Sequence, residues 1–85
     1  MREYIFFKMP NCSPCTQLKP IMEQFTNVKS VDASEDFEKA LEYNIRKAPT
    51  VVILEGGIEV GRFHGFKTKQ EIETYLDSLQ IKPLN

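Results

Sequence analysis

The four consecutive apolar residues Tyr4, Ile5, Phe6 and Phe7 narrow the fold more than any other feature of the chain. They lack the alternation of a strand with one wet face, so this strand must be covered on both sides, as a central strand of a layered α/β arrangement is. It leads directly into KMPNCSPCTQLKP, Lys8 to Pro20, which holds both cysteines with only Ser13 and Pro14 between them. From Cys15 the apolar residues fall at Leu18, Ile21, Met22 and Phe25, the spacing of one helix face. Pro14 suits the first turn of that helix, where a missing N–H costs nothing. The helix therefore begins at the cysteine motif. Pro20 lies inside it, removes the hydrogen bond to the Thr16 carbonyl and is expected to kink the axis.

Further along, NVKSV predicts a second short strand. DASEDFEKALEYN predicts a helix with Phe37, Ala40 and Leu41 on one face, capped by Ser34 or Asp32 and ended by Asn44 in the left-handed conformation. TVVIL is a β-branched buried strand, EGGI a glycine turn and EVGRF the antiparallel return, together a hairpin. TKQE, Thr68 to Glu71, reads as a capping box ahead of a last helix with the stripe Ile72, Tyr75, Leu76 and Leu79. The order is βαβαββα. The opening strand, helix and strand imply a parallel pair with a right-handed crossover, and the hairpin adds two antiparallel strands. The expected architecture is α/β, a four-stranded mixed sheet flanked by three helices. The cysteines lie at the carboxyl end of the first strand, where chemistry usually sits in open α/β sheets.

With 85 residues, 41% of them hydrophobic, the chain reads as a single domain, 1–85, with a modest core. No internal repeat, linker or low-complexity segment divides it. The formal charge of −1 provides no basic field for gripping nucleic acid, which is not an expected partner. No run approaches the ~20 apolar residues of a membrane span, and MREYIFFKMP shows no small-residue cleavage site. The expectation is a soluble, cytoplasmic monomer that makes no use of a membrane. Two cysteines are too few for a disulfide-scaffolded secreted protein, and a CxxC pair in a reducing compartment points to metal or redox chemistry.

Placed at a helix N-terminus, a cysteine faces the positive end of the macrodipole and unpaired N–H groups, both of which favour the thiolate. Its pKa falls from about 8.5 to about 7 or below. By this geometry Cys12 is the attacking nucleophile. Cys15, one helical turn further in, is more shielded and resolves the mixed disulfide that forms on Cys12. Lys8 could add favourable charge or be simply solvated. A structural zinc site wants four ligands, and the chain offers two cysteines and His64, so no metal is expected. A purely structural disulfide closing so short a loop would restrain the unfolded chain very little. His64 reads as a surface or packing residue. Arg46 and Lys47 could meet acidic partners or be a solvated pair, and Met9 and Phe66 could supply an apolar rim.

These residues together resemble the thioredoxin superfamily. CSPC is similar to the thioredoxin CGPC motif, with Pro14 directly before the second cysteine and Ser13 in the place of glycine. Pro20 falls where thioredoxins have their helix-kinking proline. APT, Ala48 to Thr50, resembles the family's Ile-Pro-Thr segment, and Gly57 and Gly65 match its hairpin-turn and substrate-groove glycines. The resemblance implies a minimal thioredoxin fold and a cis bond before Pro49. It also implies main-chain pairing of an extended substrate beside the cysteines through Ala48, Pro49, Thr50 and Gly65. It further implies a dithiol–disulfide oxidoreductase that needs no bound cofactor, acts on protein disulfides, and is re-reduced by a thioredoxin reductase or a small thiol.

Three departures accompany the resemblance. The redox strand starts within a few residues of Met1, so the extra N-terminal strand and helix of full-length thioredoxins are not expected, and the chain is glutaredoxin-sized. Phe6 stands where thioredoxins place a buried aspartate, which passes deprotonation of Cys15 to water, another carboxylate or the departing thiolate. Asn11 stands where they have tryptophan, and the chain has no tryptophan at all. Glutaredoxins share the size, but they resemble CPxC and carry an acidic pair near the last helix where this chain has Lys67 and Lys69. HGF followed by a basic residue is also similar to small redoxins that serve ribonucleotide reductase. A glutathione-linked reductase or ribonucleotide-reductase donor is thus one alternative, and a non-catalytic binding subunit of this fold is another.

Overall fold

The computed structural model describes residues 2–79. Its elements run β1 (Arg2–Lys8), α1 (Ser13–Met22), β2 (Val28–Asp32), α2 (Phe37–Glu42), β3 (Thr50–Glu55), β4 (Ile58–His64) and α3 (Lys69–Ser78). The strands form one mixed sheet in the order β2-β1-β3-β4, with β1 parallel to β2 and antiparallel to β3. This is the expected βαβαββα order with β1 central.

Alternation along β1 explains why its apolar run is unbroken. Tyr4 and Phe6 point to one face, where they pack with Leu18 and Met22 of α1 and Ile72 and Leu76 of α3. Ile5 and Phe7 point to the other, where they meet Val31, Val52 and Leu54, with Tyr43 and Ile45 against them. Both sides of β1 are dry because each has its own core.

The ends of the elements follow from local chemistry. At α3, the Thr68 hydroxyl accepts from Glu71 N (3.1 Å) and the Glu71 carboxylate accepts from Thr68 N (2.9 Å), the predicted capping box. Pro20 lies inside α1 as its spacing requires. In the β3–β4 turn, Gly56 and Gly57 have φ of +60° and +83°, the left-handed pair that a tight hairpin needs. Asn44 ends α2 with φ +56°.

Helix α2 departs from the sequence reading in two ways. It starts at Phe37, because the Asp32 carboxylate accepts from Ser34 N (2.9 Å) and Ser34 Oγ (2.6 Å) and holds a turn there. The cap is Asp36, which accepts from Lys39 N (3.1 Å), and neither Ser34 nor Asp32 takes that role. Second, only Ala40 is buried; Phe37 and Leu41 are 64% and 63% exposed. The short helix sits on the sheet through its small residue, and the larger neighbours on either side of Ala40 turn away to solvent.

Candidate redox site

Three loops meet at one end of the sheet because of strand register. Phe7 near the end of β1 pairs with Thr50 at the start of β3, and Thr50 pairs with His64 at the end of β4. The cysteine loop after β1, the proline loop before β3 and Gly65 after β4 therefore lie together.

Asn11, with φ +57°, turns the chain after β1 into α1. Cys12 is the N-cap, and its sulfur accepts from Cys15 N at 3.2 Å. Its carbonyl accepts from Thr16 N at 3.1 Å, the first helical bond. Ser13 and Pro14 occupy the first turn, exposed, and no acidic residue there offsets the positive end of the helix. Cys12 and Cys15 form a disulfide with Cα atoms 5.2 Å apart. Cys12 is half-buried and Cys15 only 4% exposed, so an incoming sulfur can approach Cys12 and not Cys15.

The Ala48–Pro49 peptide is cis, as the family resemblance implies. Pro49 is buried and Ala48 half-buried. Gly65, with φ +78°, donates its N–H to Pro49 O at 2.9 Å and so ties the end of β4 to this loop. The Thr50 side chain is fully buried, and its hydroxyl donates to Lys47 O at 2.7 Å and lies 2.9 Å from His64 Nδ1. With its single proton given to Lys47, the hydroxyl accepts from His64 Nδ1–H, which sets the tautomer. Thr50 thus serves the loop with its side chain and can offer a substrate only its main chain. Burial, then the charges of Lys47 and Arg62, hold His64 below its ordinary value of 6.5.

Lys8, a candidate for favouring the Cys12 thiolate, lies opposite Asp32 across the β1–β2 pair and helps lower that carboxylate's pKa, after the Ser34 hydrogen bonds. Met9 and Phe66 are both 42% exposed on the flanking loops. Two contributors escaped the sequence reading. The left-handed Asn11 had a signal, since asparagine tolerates that conformation better than most residues. The Thr50–His64 link had none, because the hairpin register that creates it is interrupted by a bulge.

The thioredoxin family model matches residues 4–78, a span that includes the cysteine loop, the cis-proline loop and the closing hairpin. The chain belongs to the thioredoxin family. It is 29% identical over 77 residues to the thioredoxin of Alicyclobacillus acidocaldarius, covering 81% of this chain and 73% of that one. With thioredoxin H2-1 of Oryza sativa subsp. japonica it shares 34% over 82 residues, 89% of this chain and 59% of the relative. With the mitochondrial thioredoxin of Bos taurus it shares 31% over 75 residues, and spans 45% of that protein. Among solved structures, a mutant thioredoxin from Halobacterium salinarum NRC-1 superposes with a TM-score of 0.83 at 25% identity over 96% of this chain and 78% of that one. Thioredoxins are thiol–disulfide oxidoreductases. The disulfide-forming CSPC pair at the head of α1 gives this thioredoxin-family chain the same dithiol–disulfide chemistry. Protein disulfides as substrates and a reductase as partner follow from the family in general terms.

Proposed function

We propose that the chain is a cytoplasmic, monomeric reductant of protein disulfides. Cys12 is the attacking thiolate, Cys15 the resolving thiol, and the Ala48–Pro49–Thr50 segment with Gly65 the main-chain dock for the substrate. The observation that carries this is the pairing of an accessible Cys12 with a shielded Cys15 at a helix N-terminus, at the same sheet end as the cis-proline loop.

In the reduced protein, the Cys12 thiolate attacks one substrate sulfur. A Cys12–substrate disulfide forms, the substrate S–S bond breaks, and the second substrate sulfur leaves as a thiolate that takes up a proton. Cys15, deprotonated, then attacks Cys12 Sγ, which forms the Cys12–Cys15 disulfide and expels the first substrate sulfur. Two electrons pass from protein to substrate. Thr50 is the only buried polar side chain among the described residues, so no buried carboxylate stands behind Cys15. The Cys15 proton goes to water or to the departing thiolate. An external thioredoxin reductase or a small thiol returns the two electrons. The near-neutral formal charge of −1 argues against nucleic acid as a partner, and no described helix is long and apolar enough to cross a membrane.

The test is a redox titration of the Cys12–Cys15 couple, with disulfide-reductase assays of wild type and Cys12→Ser on the same preparation. A potential between about −210 and −280 mV is expected, with activity abolished by the substitution. A far more oxidising potential would make the protein an oxidant, and activity that survives Cys12→Ser would reduce the pair to a bystander.

A further inference from the structure

The two edges of the sheet differ in how their main chain is satisfied. On β4 the Tyr75 hydroxyl accepts from Arg62 N and donates to Arg62 O, and a bulge interrupts the register. The other edge, β2, pairs with β1 alone. Tyr4 N donates to Asn27 O at 3.0 Å and Ala33 N to Lys8 O at 2.9 Å, which fixes the phase of the parallel ladder. Asn27, Lys29, Val31 and Ala33 turn their main-chain groups toward β1, so Val28, Ser30 and Asp32 turn theirs outward. The Asp32 carbonyl is engaged by Glu35 N and Asp36 N. The N–H and C=O of Val28 and Ser30 and the N–H of Asp32 have no main-chain partner among the described residues.

This bare edge lies between two clefts. On the α2 side a cleft of about 450 Å³ has Lys29, Lys39, Tyr43, Glu3 and Leu54 in its walls. On the α1 side a cleft of about 280 Å³ is walled by Phe6, Met22, Phe25 and the Lys19–Glu23 ion pair. Asn27 and Val28 border both. Side chains of a strand alternate between the faces of its sheet, so a segment laid along β2 sends one set to each cleft, whichever way it runs. The clefts ask for different chemistry. Lys29 and Lys39 stand against the single carboxylate of Glu3, and none of the three forms an ion pair among the described residues. On the α1 side the charges are already paired, and the remaining walls are largely aromatic and aliphatic.

We infer that the β2 edge docks an extended segment of another protein, hydrogen-bonded to Val28 and Ser30, with acidic side chains toward Lys29 and Lys39 and apolar ones toward Phe25. Strand addition supplies affinity through the main chain, and the two clefts supply selectivity. A second copy of this chain fits poorly. Two β2 edges run antiparallel about Ser30 would set Lys29 diagonally beside its counterpart, where like charges repel. A lysine on an exposed edge thus guards against self-pairing while it admits an acidic strand. Val28 pairs with Tyr4, in the half of β1 away from the cysteine loop, so a strand seated here leaves Cys12 open to its own substrates. The edge is a tether for a partner, separate from the redox site.

The full chain, isotope-labelled, is titrated with three synthetic peptides: alternating glutamate and valine, alternating lysine and valine, and the first composition rearranged into a glutamate block and a valine block. Amide hydrogen exchange is read residue by residue. In the free chain Lys29 and Val31 are expected to be protected and Ser30 to exchange fast. The alternating glutamate–valine peptide should slow exchange at Ser30 and Asp32. At low ionic strength it should bind about three- to tenfold more tightly than the lysine peptide, a gap that high salt narrows. Lys29→Glu should reverse that order, and N-methylation of one alternate set of peptide residues, not of the other, should abolish binding. Reduction of a small aromatic disulfide should be unchanged by the bound peptide. Exchange at Ser30 that no peptide slows, a block peptide that binds as well as the alternating one, or an order that Lys29→Glu leaves unmoved overturns the inference. Protection of Ser30 that grows with protein concentration alone would make a second copy the occupant and overturn it as well. The small-disulfide assay reports the reductase separately in every case.

Discussion

Thr50 has one hydroxyl proton and two partners, Lys47 O at 2.7 Å and His64 Nδ1 at 2.9 Å, and it joins the cis-proline loop to the last strand. Valine has nearly the same shape and neither bond. Thr50→Val is expected to lose about 1–2 kcal/mol of stability, because a buried hydroxyl network is removed while the packing is kept; urea denaturation of both proteins measures it. His64, on the other side of that bond, titrates below its ordinary value, first through burial and then through Lys47 and Arg62. Its unfolded form therefore binds a proton at a pH where the folded form does not. Stability is expected to rise slightly with pH through the window just below 6.5 and to fall as acid protonates the folded imidazole, a small effect because His64 is exposed to solvent. Asp32 and Glu59, both with lowered pKa, push in the same direction at more acidic pH. The difference in unfolding stability between wild type and His64→Gln, followed by urea titration across that window, isolates the histidine. A flat difference would refute the assignment.

At the scale of elements, β4 and α3 meet without space to spare. A Cβ on Gly61 would lie 2.8 Å from Leu79 Cδ1 and 2.8 Å from the Tyr75 hydroxyl. That hydroxyl cannot swing away cheaply: it accepts from Arg62 N at 3.1 Å and donates to Arg62 O at 3.0 Å, which satisfies two outward-facing backbone groups of the edge strand. Gly61→Ala is expected to lose about 1–3 kcal/mol by overpacking. In a Tyr75→Phe background the same substitution should cost less, since one of the two contacts is gone, and a double-mutant cycle by denaturant titration tests this. The identity and order of all seven elements were legible from apolar periodicity, caps and turns. The start of α2 was not, because Asp32 and Asp36 are both competent caps and the choice rests on which carboxylate Ser34 captures.

Across the whole molecule the two layers are unequal. The face under α1 and α3 buries Phe6, Leu18, Met22, Ile53 and Ile72, whereas α2 contributes only Ala40 as a buried residue on the opposite side. Helix residues with similar apolar spacing thus differ greatly in what they hold together. Met22→Ala, at 1% exposure, is expected to cost about 2–5 kcal/mol. Leu41→Ser, at 63% exposure, should stay within about 0.5 kcal/mol of wild type, again by denaturant unfolding. An equal cost for both would mean that α2 is packed against something the isolated chain does not show.

The amino-acid sequence by itself determined the placement of the cysteines at a helix start, the capping box of α3 and the glycine hairpin, since each depends on contacts between near neighbours, and it marked β1 as central through an apolar run that leaves no wet face. It also marked Pro49 through the family resemblance. Tertiary structure alone decided what faces Thr50. Counted back from the Glu55–Ile58 pair at the turn, an unbroken hairpin would set Phe63 opposite Thr50. The irregularity between Ile53 and Leu54 makes the β4 partner jump from Gly61 to Glu59, and His64 takes that place. A bulge of one residue turns Phe63 into the core beneath α1 and α3 and brings the imidazole to the redox end of the sheet. No local preference encodes that shift: it follows from which register buries Phe63, a property of the packed sheet as a whole.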